Sequence, residues 1–205
     1  MELWIGALNL GLLYAFMTVG VFLTFRVLDF PDITVDGSFT SGAATAAVLI
    51  VSGWNPFLAL LGAFMVGAIA GWLTGLIYTG LKINGLLAGI LVMIGLYSIN
   101  LHIMGKSNIP LLNEPGFPQV FEGFNPGLPA EVWLAICLTI VLILFWLICS
   151  RFLKTDSGIT LRAAGNNPAM IFANGVNVSI VNIIGIAISN GLVGLSGGLV
   201  AQYQG

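Results

Sequence analysis

Six stretches of mostly apolar residues, each about the 20 residues a membrane-crossing helix needs, dominate this chain and fix what it can become. They run over 3–25, 34–52, 57–79, 85–104, 132–150 and 178–201. Leu and Ile dominate them without strand-like alternation. A backbone in lipid must satisfy its own hydrogen bonds, so the runs are expected as helices. Only 7% of the 205 residues are charged, against roughly 25% in a soluble domain. So little charge cannot cover a water-facing surface. The predicted fold is an all-α polytopic membrane protein, one domain over 1–205. Its bundle of about six helices carries a broken segment near 26–40 and a short cytoplasmic coupling helix.

Lys and Arg set the direction. Arg151, Lys154 and Arg162 fall between the fifth and sixth runs, and such loops stay in the cytoplasm. Counting back puts Lys82 and Arg26 on the same side. Lys106 and the acidic residues Glu114, Glu122 and Glu131 then lie outside, as does the N-terminus. The acidic start (Met1-Glu2-Leu3-Trp4) lacks the basic residues of a signal peptide, so the first run reads as a retained span. A net charge of −2 with no basic stripe argues against nucleic acid as a partner. Cys137 and Cys149 share one apolar run and read as small hydrophobes, not as metal ligands or a disulfide.

Gly67, Gly71 and Gly75 recur every four residues, as do Gly85 and Gly89. Such small-residue faces let backbones approach where the hydrophobic effect cannot join helices. Between the first two runs, residues 26–40 hold four charges with Pro31 and Gly37. A break of this kind at membrane depth must be buried in protein or line a cavity. Asp32, Thr34, Asp36 and Ser38 are therefore candidate pathway residues; the alternative is an acidic cytoplasmic loop. Asp36 is expected to cap the second span, and Arg26 to pair with Asp29 if both are helical. Asn100 and Asn190 are further candidates for the pathway or for interhelical hydrogen bonds. His102, near the outer end of the fourth run, reads as an interface residue. No catalytic, cofactor or metal site is expected.

The 151–177 segment is expected to be the cytoplasmic coupling loop. Asn167 suits a helix N-cap, Pro168 the first helical position and Gly175 the residue past the end. A helix of about seven residues carrying Met170, Ile171 and Phe172 into water calls for a partner groove. The 105–131 segment is expected outside. Its prolines and its Phe117, Phe121 and Phe124 predict a short element that meets a soluble partner or lies on lipid. Gly105-Lys106-Ser107 is not a phosphate loop, because Asn100 stands where that motif needs Gly.

The order Arg162-Ala163, Gly165-Asn166, a short helix and Gly175-Val176-Asn177-Val178 resembles the coupling loop of the branched-chain amino acid and ribose permeases of ABC importers. The small-residue run Gly191–Leu199 resembles the span that follows it, and Thr34–Ser38 resembles that family's early break. The branch most resembled is linked to amino-acid uptake, aromatic or branched-chain. The resemblance implies a non-enzymatic permease subunit in the bacterial cytoplasmic (inner) membrane. Its implied partners are an ABC ATPase subunit, an extracytoplasmic substrate-binding protein and a second permease subunit, as a homodimer. Arg162, Gly165, Asn166, Asn167, Pro168, Ala169, Met170, Ile171, Phe172 and Gly175 would couple to the ATPase. Phe117, Phe121 and Phe124 would meet the binding protein. Such permeases continue with further spans, so the chain reads as C-terminally truncated. An ion-coupled secondary transporter is the competing reading, for which the 29–36 carboxylates are the only intramembrane candidates.

Overall fold

The computed structural model describes residues 2–106, 108–111, 114–123 and 125–205. Among the described residues, six helices are long and apolar enough to cross a membrane. They are α1 (Glu2–Phe22, prolonged by a wide π-type turn, Leu23–Val27), α2 (Thr34–Val51), α3 (Pro56–Leu81), α4 (Gly85–Met104), α6 (Ala130–Phe152) and α9 (Val178–Gln204). Three shorter helices join them: α5 (Phe117–Glu122), α7 (Asp156–Asn166) and α8 (Pro168–Ala173). This is an all-helical, multi-pass membrane protein, and the six spans fall where the apolar runs predict.

One capping device starts three of the spans. The side-chain oxygens of Asn55, Asn84 and Asn177 accept the amides of Phe57 (2.9 Å), Leu86 (3.0 Å) and Ser179 (3.0 Å). Each occupies a donor that the first helical turn leaves free. Lys82, in the left-handed region at φ +53°, ends α3.

α9 is the central helix, packed mainly on α3, α2 and α1. Its closest contacts are made at small and hydroxyl side chains. Gly194 lies against the backbone of Gly42 and Gly67, Gly197 against Phe39, and Gly71 against Ile186. Ser189 and Ser196 donate to the carbonyls of Gly20 (2.6 Å) and Leu13 (2.8 Å) on α1. The predicted Gly67–Gly71–Gly75 face is thus the α3 side of a backbone-to-backbone contact with α9. Gly85 and Gly89 serve otherwise: they face Phe30 and Ile33–Thr34 of the link between α1 and α2.

The two ends of the bundle differ. At one, Gln202 accepts the Phe117 amide (3.0 Å) and donates to the Pro56 carbonyl (3.2 Å), which fastens α5 to α9 and α3. At the other, Leu23, Val27, Leu28 and Phe30 pack with Leu161 of α7 and with Ile186 and Leu192 of α9. Chain alternation puts Arg26, Lys82, Arg151, Lys154 and Arg162 at this second end and Lys106 at the first. The Gly42–Gly194 contact yields a test. Gly42→Ala should lower stability by about 1–3 kcal/mol through overpacking. Gly11→Ala, with nothing within 4 Å of the added methyl, should be neutral or raise stability by about 0.5–1 kcal/mol, the helix preference of Ala. Thermal unfolding in detergent measures both.

Candidate functional site

Residues 28–33 do not hang below the bundle. They fold up into it and place α2's first residue inside the span. Asp29 takes a left-handed backbone, φ +52°, which turns the chain out of the π-type turn. Leu28 and Phe30 then bury, with the Phe30 ring edge-on to Tyr78 at 5.0 Å. Thr34, which opens α2, meets Thr74 and Gly89. At about 1.5 Å per helical residue, Thr74 lies about 10 Å above the basic end of α3 and Gly89 about 6 Å above that of α4. α2 therefore begins within the bundle, above the basic ends of α3 and α4.

A closed polar cluster holds it there. Asn190 of α9 donates through Nδ2 to Asp32 Oδ2 (2.6 Å) and to the Ile186 carbonyl (3.0 Å). Its Oδ1 accepts the Ser38 hydroxyl at 2.6 Å. Asp32 Oδ1 accepts the Thr34 amide at 2.8 Å. Thr74 donates to the Ala70 carbonyl (3.1 Å), so at the 2.8 Å contact between the two threonines Thr34 is the donor. Asp32, Thr34, Ser38, Thr74 and Asn190 are all buried. A buried polar group left unpaired is costly, so this fully connected set fixes one position for the link.

The six expected pathway residues therefore divide. Asp32, Thr34, Ser38 and Asn190 are enclosed and satisfied by one another. Asp36 is exposed on the first turn of α2, beside exposed Thr40. Asn100 of α4 joins that side by donating to Thr40 Oγ1 at 3.1 Å. Two expectations fail. Asp32, not Asp36, accepts the first amide of α2, because the link approaches the helix end from the Asp32 side. Arg26 and Asp29 do not share a helical face, because Asp29 has left the helix. Thr74 was missed, although it sits three and seven residues beyond Gly71 and Gly67 on their helix face.

The 151–177 loop holds two helices where one was expected. Thr155, whose hydroxyl lies 3.4 Å from the Gly158 amide, begins α7, with Asp156 in the first turn; that pair was the readable signal. Gly165 faces inward, against the Val27 carbonyl and Leu28, and so seats α7 on the bundle. α8 follows the prediction closely. Asn167 Oδ1 accepts the Met170 amide at 3.0 Å, Pro168 is the first residue, and Gly175 has φ +82°. Ile171 turns inward, while Met170 is 56% and Phe172 74% exposed. Arg162, Asn166, Asn167, Pro168 and Ala169 are also exposed.

The 105–131 loop carries the short element predicted, α5, with the Gly116 amide donating to Gln119 Oε1 at 2.9 Å. Phe117, only 1% exposed, is a core residue packed with Leu13, Phe16 and Leu199, so its ring is not a docking surface. Phe121 is half-buried against Phe57 and Phe117. Phe124 lies outside the described residues. Among the described residues, no three His, Cys, Asp or Glu side chains converge as a metal site would require. Asn190→Leu would strip Asp32 and Ser38 of their partner and should cost roughly 1–3 kcal/mol for each stranded group. Asn182→Leu, at a half-buried site one face away, should cost less. Unfolding midpoints in detergent compare the two.

The model of one protein family, described as branched-chain amino acid transport system / permease component, matches residues 3–205. A tyrosine transport system permease protein of Clostridioides difficile is 43% identical over 98% of this chain and 65% of its own length. An uncharacterized protein of Rickettsia prowazekii is 36% identical over the whole chain and 70% of its own length. A galactofuranose transporter permease protein of Escherichia coli is 28% identical over 83% of this chain and 48% of its own. The chain thus spans between 48% and 70% of the length of these relatives. No solved structure matches. A family match over nearly every residue, on a bundle with a submerged helix start and a mounted surface helix, places this chain in the branched-chain amino acid transport system permease-component family.

Proposed function

We propose that this chain is a translocation subunit of an ATP-driven importer for a small solute, an amino acid. The observation that carries the proposal is α8. A helix of six residues, capped at both ends and anchored by Ile171, holds Met170 and Phe172 away from the bundle at the end rich in Lys and Arg. Large apolar side chains held rigidly in water fit a partner's groove. The partner proposed is an ABC ATPase subunit, seated on 151–177 at the cytoplasmic face of a bacterial inner membrane. Load applied to α8 passes through Asn177 into α9, and Asn190 of the same helix grips the α1–α2 link. That supports the coupling residues Arg162, Asn166, Asn167, Pro168, Ala169, Met170 and Phe172 as the contact surface, with Gly165, Ile171 and Gly175 shaping it.

On the opposite face, residues 105–131 receive an extracytoplasmic binding protein. Gln202 makes α5 a firm platform there, and its exposed side chains Gln119, Val120 and Glu122 replace Phe117 in that role. A second permease subunit, as a homodimer, completes the pathway, whose wall on this chain includes Asp36 and Asn100. Asp32, Thr34, Ser38 and Asn190 act in the pathway by holding that wall in place. The Clostridioides difficile relative, named for tyrosine, supports an aromatic amino acid as the solute.

Phe172→Ala combined with Met170→Ala should weaken retention of the ATPase at least about tenfold, as expected for anchor side chains worth about 2 kcal/mol. Both side chains are exposed, so membrane insertion and folding should be unchanged. Co-purification from membranes and ATP-dependent uptake are the measurements. Wild-type uptake by the double variant would end the proposal.

A further inference from the structure

The cluster around Asn190 uses its acceptors fully, but a second group of polar atoms beside it does not. Asp36 stands in the first turn of α2, two residues beyond buried Thr34, and is exposed. One turn along, Thr40 is exposed too. Its hydroxyl lies 2.9 Å from the Gly37 carbonyl and 3.1 Å from that of Asp36, to which it donates. It accepts from Asn100 Nδ2 at 3.1 Å. This leaves Asn100 Oδ1 buried with no donor, on a residue only 8% exposed.

Each feature is unfavourable by itself. A carboxylate facing hydrocarbon is expensive, and ionisable groups at depth face water or a partner. An unpaired buried carbonyl costs about 1–3 kcal/mol. What the two have in common is a demand for donors. Asp36 brings negative charge, and Asn100 brings an acceptor on the neighbouring helix. An anionic group arriving here would meet a carboxylate and an amide oxygen. A protonated amine would supply positive charge and N–H groups to both.

We infer that the α2–α4 seam around Asp36, Thr40 and Asn100 is a water-accessible subsite that selects a protonated amine. Asp36 provides the counter-charge, and Asn100 Oδ1 accepts an N–H once the seam admits the ligand. The inference rests on the proposed permease role for what passes the site, but its test does not need transport or an ATPase.

The full chain is reconstituted in liposomes after Cys137→Ser and Cys149→Ser. Thr40→Cys is then labelled with two methanethiosulfonates of similar size, one carrying trimethylammonium and one sulfonate. Rates are expressed relative to those of Asn174→Cys on the exposed loop. The cationic reagent should be favoured about tenfold, the size of effect one nearby charge produces at partly screened distances. Asp36→Asn should bring the ratio close to that of Asn174→Cys, and Asp36→Glu should keep it. Tyramine should slow the labelling, whereas 4-hydroxyphenylpropanoate, which lacks the amine, should not. Silence of Thr40→Cys while Asn174→Cys labels would mean a dry seam and overturn the inference. So would a preference that survives Asp36→Asn. Charge-selective labelling in a chain that neither holds an ATPase nor transports would instead leave the subsite standing and remove the permease role.

Discussion

The hydrogen bond from Asn190 to Asp32 organises the bundle. In a membrane, apolar surface does not drive helices together, because lipid is as apolar as Leu. What remains is close packing and polar attachment. Asn190 supplies the second at the middle of α9, where Gly194, Gly197 and Ser189 supply the first. Without the amide at that depth, the carboxylate of the link would sit in a dry environment with no donor from α9. With it, the link is drawn inward and α2 begins part-way across the span.

That arrangement ties three levels of the molecule to one helix. α9 is a single rod from Val178 to Gln204. Its first residues follow α8 after a four-residue connection, its middle holds the link through Asn190, and its last turn fastens α5 through Gln202. A rigid helix moves as a unit, so displacement at one of these attachments is felt at the others. This gives the proposed coupling a mechanical basis in named contacts.

The exposed first turns of α2 contrast with α6. α6 presents Ile140, Ile143, Leu144, Trp146 and Ile148 outward, an ordinary lipid-facing surface. α2 presents Asp36 and Thr40. A charge near lipid needs water or a counter-charge, whereas the neighbouring α4 exposes Leu87, Leu91 and Ile94 much as α6 exposes its own apolar face. The division between enclosed Asp32 and exposed Asp36, only four residues apart, arises because one precedes the helix and points into α9 while the other stands on the far face of the first turn.

The six spans, their order, the Asn167–Pro168 start of α8 and the glycine face of α3 were legible in the sequence. Length, apolar composition and capping chemistry are local properties, and runs of about 20 apolar residues without strand-like alternation satisfy their backbone in lipid as helices. α7 was legible in part, through Thr155 and Asp156, but its amphipathic signal is short and was absorbed into a loop. Which aspartate caps α2, which phenylalanine of the outer loop is core, and which coupling residue turns inward were not legible. Each depends on a partner distant in sequence: Asn190 for Asp32, Gln202 and Leu199 for the Phe117 segment, and the bundle end for Ile171 and Gly165. The sequence by itself determined that this chain crosses a membrane six times and carries a short capped helix on a basic loop. Only the tertiary structure decided how deep α2 begins and which polar groups are enclosed, because those outcomes come from helices meeting across the bundle and no local pattern encodes that meeting.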